Sequence, residues 1–155
     1  MTNFSKDDIK VITWDEGVRK RREMYFGDAA VNGEEICEAI KYPAVVLGSK
    51  ESLIIKLGDW HYFCSDIDWL FLSEHEIENV RSVFESPRPF PEGGSPNSYR
   101  TESLCLPFST DAFTVSKDDR VLLKGKYPPG ELLENHLNEL GSWGRIVGFK
   151  FDKNA

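Results

Sequence analysis

The sequence predicts an α+β domain, a two-layer sandwich in which helices cover one face of a mostly antiparallel, mixed sheet. Three observations lead there. Short apolar or alternating runs recur at 52–57, 60–65, 112–116, 121–124 and 145–151, each of strand length. Segments with helical spacing of apolar residues, at 14–21, 33–41, 73–85 and 130–140, interrupt them. Gly58-Asp59 and Lys117-Asp118-Asp119 supply the turn chemistry that antiparallel neighbours need. The 155 residues suit a single domain, 1–155, with a sizeable core.

In order, a polar arm at 1–9 precedes the first helix, for which Thr13 can serve as N-cap with Glu16 three residues on. The second helix places Ile36, Cys37 and Ile40 on one face, and Pro43 is expected to end or kink it. Residues 52–57 and 60–65 read as a hairpin about Gly58-Asp59. Ser73-Glu74-His75-Glu76 reads as a capping box opening a third helix, whose stripe is Ile77, Val80 and Phe84. Four prolines and two glycines between Ser86 and Tyr99 exclude a regular element, so 86–101 is a loop and the one internal linker candidate. Strand-like runs follow at 102–108, 112–116 and 121–124, then a helix over 130–140 and a last strand over 145–151. One core between sheet and helices should be lined by Ile36, Ile40, Ile54, Phe63, Ile77, Val80, Phe84, Val115, Leu122, Val147 and Phe149.

Nineteen basic against twenty-six acidic residues give a net charge of −7, which argues against nucleic acid and is compatible with a basic protein partner. Cys37, Cys64 and Cys105 are odd in number and widely spaced, as expected of buried thiols in the reducing cytoplasm. No apolar leader opens the chain and no run of eighteen apolar residues occurs, so neither secretion by signal peptide nor membrane spanning is expected. His61, His75 and His136 lack metal-ligand spacing.

Ile9-Lys10-Val11 and the run Gly17-Val18-Arg19-Lys20-Arg21-Arg22-Glu23-Met24-Tyr25-Phe26-Gly27-Asp28 resemble the opening of the ATPase domain of DNA gyrase B and topoisomerase IV, of the GHKL type. Residues 111–123 and Gly144-Arg145-Ile146-Val147-Gly148-Phe149-Lys150-Phe151 resemble that family's later strands. The resemblance implies a GHKL ATPase-like fold and lays residues 33–40 on the helix of the E-x-x-D-N box, with Glu38 at the water-activating position. Lys41 and Tyr42 then stand where Asp and Asn are expected, and a phenol is a poor ligand for magnesium. Asp66 falls on the adenine-binding Asp, but Asp68 and Leu70 replace the glycines that let backbone approach nucleotide. Residues 91–99 resemble only the start of the phosphate-binding lid. What remains is a degenerate ATPase with no catalytic residues, no cofactor and no metal, keeping Glu38, Tyr42 and Asp66 as relic positions.

Several features stay open between two readings. Arg19, Lys20, Arg21 and Arg22 are either a phosphate or protein contact or a complement to a helix C-terminus. Asp66 and Asp68 are read first as turn caps and second as paired carboxylates; Trp60, Tyr62 and Trp69 first as hairpin core and second as an aromatic patch. The function expected is a noncatalytic protein-binding module, an immunity protein or antitoxin that neutralises a basic toxin domain. Its partner surface is expected at Asp59, Trp60, Asp66, Asp68, Trp69, Glu74 and Glu78. The alternatives are a residual ATP-binding GHKL-type ATPase using Glu38 and Asp66, and a modulator that mimics a gyrase subunit.

Overall fold

A computed structural model describes residues 14–26, 31–73, 77–95 and 97–154, the Glu23 side chain aside. The elements are α1 (Trp14–Lys20), α2 (Arg22–Phe26), α3 (Gly33–Val46), β1 (Ser52–Leu57), β2 (Trp60–Ser65), α4 (Val80–Glu85), β3 (Ser109–Val115), β4 (Arg120–Lys124), α5 (Glu131–Leu140) and β5 (Arg145–Phe151). The 1–9 arm and Thr13 lie outside the described residues. The hairpin forms as its turn chemistry dictates, with Gly58 at φ +62° and Leu57 opposite Trp60. All strands pair antiparallel in the order β1-β2-β5-β3-β4, so the sheet is not mixed. Because β5 sits between β2 and β3, strands from both sides of the 86–101 segment share one sheet.

Both faces of that sheet are covered, which corrects the expectation of helices on one face only. The first face packs Phe63, Val147 and Phe149 against Ile36 and Ile40 of α3, Val83 and Phe84 of α4, and Val18 of α1. On the second face α5 lays Leu133 and Leu140 over Trp60, Tyr62, Phe113 and Ile146, and Val115 and Leu122 belong there rather than to the first core. The cause is legible in β2: Trp60, Tyr62 and Cys64 are as apolar as the Phe63 that alternates with them, and a strand buried on both faces needs two covers. Tyr62 and His136 close the second interface with a 2.6 Å hydrogen bond between Oη and Nδ1.

Three local expectations are corrected, in whole or in part, for identifiable reasons. Of the two outcomes expected of Pro43, ending the helix does not occur, since α3 continues to Val46. A proline at 43 has no N–H for the Ala39 carbonyl, and the Thr101 hydroxyl donates to that carbonyl instead. Helix α4 starts at Val80 rather than Ser73; Asn79 caps it by accepting from the Ser82 N–H at 3.0 Å, and residues 74–76 of the expected capping box lie outside the described residues. The run 102–108 is not a strand but two 3₁₀ turns, Thr101–Leu104 and Leu106–Phe108. Pro107 lacks the donor a strand would use, and Glu102 turns its carboxylate inward, where a tight turn rather than a pleat delivers it. A third 3₁₀ turn, Pro91–Gly93, and a bridge between Pro89 and Tyr99 give the Pro-rich loop its form.

Candidate functional site

The positions that the resemblance marks as nucleotide-binding surround the C-terminal half of α3, the segment after β2 and the loop around residues 90–99. Glu38 is exposed on the outer side of α3. One turn on, Tyr42 packs its ring edge-on to Phe90, with centroids 6.2 Å apart, and its hydroxyl donates to the Gly93 carbonyl at 3.4 Å. A hollow of about 230 Å³ lined by Tyr42, Ser98, Tyr99 and Thr101 lies beside this contact. Asp66 accepts from the Ser49 hydroxyl at 2.8 Å and from the Lys50 N–H at 3.2 Å. The Ser49 bond, against a smaller cost of desolvation, holds its carboxyl below the usual carboxylate range. It acts as a turn cap joining β2 to the end of α3, the first of its two readings.

Asp68, by contrast with the exposed Asp66, is half-buried. Its carboxylate takes a two-pronged contact from Arg145, at 3.1 and 2.7 Å, and Arg145 also reaches Asp119 at 2.7 Å. Burial opposes the charge of Arg145, but hydrogen bonds and charge from Asp68 and Asp119 outweigh it and raise its pKa. For Asp119, burial alone would raise the pKa, and the Arg145 contact reverses the sign. Charge reversal at Asp68 would therefore damage the fold before it reported on a partner.

The two expected aromatic anchors are not surface groups, which corrects that part of the predicted partner surface. Trp60 is buried against Phe113 beneath α5. Trp69 is fully buried, edge-on to Phe63, and donates its indole N–H to Glu102 at 2.9 Å. Glu102 is itself paired with Arg100 at 2.5 Å, both side chains without solvent exposure, and Arg100 donates to the Leu70 carbonyl at 3.1 Å. Sequence reasoning missed this triad because Arg100 and Glu102 follow a Pro-rich loop and carry no periodic signal. Of the remaining candidates, Asp59 sits at the hairpin tip and lines a separate cavity of about 660 Å³ with Lys56 and His61; Glu78 is exposed at the mouth of a groove described below; Glu74 lies outside the described residues.

In place of the tryptophans the structure brings other apolar side chains to the surface. Tyr42, Val45 and Val46, three and four residues apart, share the outer face of the last turns of α3 and are all exposed. Phe71 and Leu72 are 48% and 54% exposed. The Pro91–Gly93 turn bridges the two groups: Tyr42 reaches Gly93, and Ser73, next to Leu72, donates to both oxygens of Glu92 at 2.9 and 3.0 Å. From Phe71 a groove of about 490 Å³ runs over Val80 and Val121, with Glu78, Arg81 and Asp119 at its margins. Most of the large hydrophobic residues exposed among the described residues belong to this belt. A signal existed, since Val45-Val46 and Phe71-Leu72 are adjacent apolar pairs, the first at the end of α3 and the second in the segment between β2 and α4.

The cysteines are buried, and burial pushes the Cys64 and Cys105 thiols up to about 12, so they stay protonated and unreactive. Among the described residues no group of three His, Cys, Asp or Glu side chains is placed to hold a metal ion, and no helix is long and apolar enough to cross a membrane. Compared with known proteins, the chain matches no family model, no curated protein and no solved structure.

Proposed function

We propose that the chain is a noncatalytic protein-binding module on a degenerate GHKL-type scaffold, acting in the cytoplasm as an immunity protein or antitoxin that covers a basic toxin domain. The observation that carries this reading is the exposed apolar belt, Tyr42, Val45 and Val46 on α3 and Phe71 and Leu72 in the segment after β2, on either side of the Pro91–Gly93 turn. Buried aromatic side chains supply much of the energy in protein interfaces, and Tyr42 and Phe71 are the members of the belt suited to that role. Two relic positions support the reading in a second way: Tyr42 and Asp66, though exposed, already direct their side-chain hydrogen bonds to groups of the chain itself. The net charge of −7 speeds encounter with a cationic partner.

The test is a rescue experiment with the product of the adjacent reading frame. That product, expressed alone, should arrest growth, and coexpression of this chain should restore it. Val45→Asp combined with Leu72→Asp should abolish rescue and weaken the purified complex by about 100-fold or more, as expected for anchor residues, while leaving the denaturation midpoint unchanged. Association should also slow as salt rises through the range where surface charges are screened. Rescue that survives the double substitution would refute the belt as the binding surface, and an adjacent product without toxicity would refute the antitoxin reading.

A further inference from the structure

The corner between α1 and α2 carries four consecutive cations, Arg19, Lys20, Arg21 and Arg22, in a chain whose net charge is −7. The corner is fixed from within. Val18 is fully buried, the Trp14 indole donates to the Ser103 carbonyl at 3.1 Å, and Trp14 meets Tyr25 edge-on at 5.9 Å. Phe26 meets Phe108 edge-on at 5.4 Å, and Lys124 ties Asp15 to the Leu106 carbonyl at 3.1 and 2.8 Å. With its inner side locked, the corner must turn its charged side chains outward, and Lys20, Arg21 and Arg22 are exposed.

These cations stand apart from the other basic residues of known role. The ion pairs among the described residues use Arg100, Arg120, Lys124 and Arg145, and none uses residues 19–22. Nor does any of the four donate a side-chain hydrogen bond among the described residues, although carboxylates outnumber cations in the chain. Three of them, Arg19, Lys20 and Arg22, converge on one hollow of about 590 Å³ that Glu16 and Asn154 complete. Here three of them line one open hollow, on a corner whose inner side is packed against the core, which lowers the cost of ordering them around a ligand.

We infer that this hollow is a binding site for a compact oligophosphate, either free or as the tail of a nucleotide. Two guanidinium forks and an ammonium within one short turn match a small anion of high charge density, whose tetrahedral groups accept paired N–H bonds on several sides. An extended acidic peptide alternates its carboxylates between two sides of its backbone and so brings fewer charges to one hollow than an oligophosphate does. The inference is independent of the apolar belt and of the partner proposed for it. It also differs from ATPase chemistry in a measurable way: magnesium neutralises the phosphates and should weaken binding here, whereas a GHKL-type site requires it.

Titration of the full chain, isotope-labelled, with sodium tripolyphosphate at low salt tests this. Shifts should concentrate at the Arg19 and Arg22 side-chain Nε–H signals and the Lys20 to Arg22 and Asn154 amides, with a dissociation constant on the order of 100 μM or below. Arg19→Gln with Arg22→Gln should weaken binding by about 10-fold or more, and Arg120→Gln, which removes an exposed arginine paired with Glu134, should not. Folding of each variant is checked by its amide spectrum. ATP without magnesium binding as tightly as tripolyphosphate identifies the tail as the recognised group; ATP binding much more tightly identifies a nucleotide as the source. The inference is overturned by no saturable binding at millimolar tripolyphosphate, by an equal loss in Arg120→Gln, or by a hexa-aspartate peptide that binds more tightly than either phosphate.

Discussion

Replacing Glu102 by Gln removes one charge from the protein's fully buried ion pair while keeping nearly the same volume and shape. The native carboxylate meets Arg100 at 2.5 Å and accepts the Trp69 indole N–H at 2.9 Å, and neither Glu102 nor Arg100 is exposed. A carboxamide can still accept one hydrogen bond, but it leaves the guanidinium as an uncompensated buried cation, a change that costs about 3–5 kcal/mol. For a protein of this size each kcal/mol moves the melting temperature by roughly 2–4 °C, so the midpoint should fall by roughly 6–20 °C. Urea denaturation read by circular dichroism gives the free energy, and amide exchange at Leu70 to Leu72 gives the local effect, because Arg100 also holds the Leu70 carbonyl at 3.1 Å. Removing both charges, Arg100→Met with Glu102→Gln, should cost less than Glu102→Gln alone, since no unpaired ion is then buried. A loss under about 1 kcal/mol for the single change, or costs that simply add, would show that the pair is solvated and that the strap carrying Phe71 and Leu72 is not fixed in this way.

Other substitutions and conditions have equally definite expectations. Thr101→Val should destabilise by about 1–2 kcal/mol by orphaning the Ala39 carbonyl beside Pro43, and Thr101→Ser should restore most of it in the same denaturation assay. Gly33→Ala gains little helix propensity at the first position of α3 and would drive a Cβ into the His61 ring, which is stacked on Phe149 at 5.4 Å; the variant should be destabilised, and a higher melting temperature would contradict it. Asp119 has a depressed pKa in the folded state, so its contribution is present above the unfolded carboxylate range and is lost as pH falls through the folded value. Asp119→Asn should therefore flatten the acid limb of the stability curve, and an unchanged limb would refute the Arg145 linkage. Calorimetry with ATP and magnesium should show no magnesium-dependent binding, and Glu38→Gln should change nothing; magnesium-dependent affinity in the micromolar range would remove the degenerate-scaffold reading.

The strands and helices legible in the sequence were those whose local chemistry and burial agree. The β1–β2 turn at Gly58-Asp59, the start of α3 at Gly33 and the span of β5 follow from turn residues and apolar spacing alone. In two of the places where sequence reasoning failed, a distant residue had changed the local outcome, whereas the start of α4 turned on the adjacent cap Asn79. The end of α3 depends on a hydroxyl 62 positions away that replaces the donor a proline removes. The 3₁₀ turns at 101–108 depend on a carboxylate that must reach Trp69, 33 residues back. Neither partner can be named without the fold, because spacing along a chain does not encode which buried polar groups will meet.

The candidate site shows the same division with a functional consequence. Aromatic residues beside a turn are ambiguous in sequence, since they serve equally as core or as anchor. The polar end decides between them: Trp69 has Glu102 to receive its N–H and so can be buried without penalty. Phe71 and Leu72, two and three residues further on, follow the point where Arg100 grips the Leu70 carbonyl, and no element of the described chain covers them. A buried tryptophan and a buried ion pair thus act as the fastening, and the aliphatic and aromatic side chains just beyond it are left exposed. The energetics of the fastening and of the belt should accordingly separate in experiment. Loosening the ion pair should raise the exchange rate of residues 70–72 and weaken partner binding together, whereas substituting Leu72 should weaken binding and leave exchange at Leu70 unchanged. Equal effects of both on exchange would mean that the belt is part of the core's own packing and is not held in readiness for a partner.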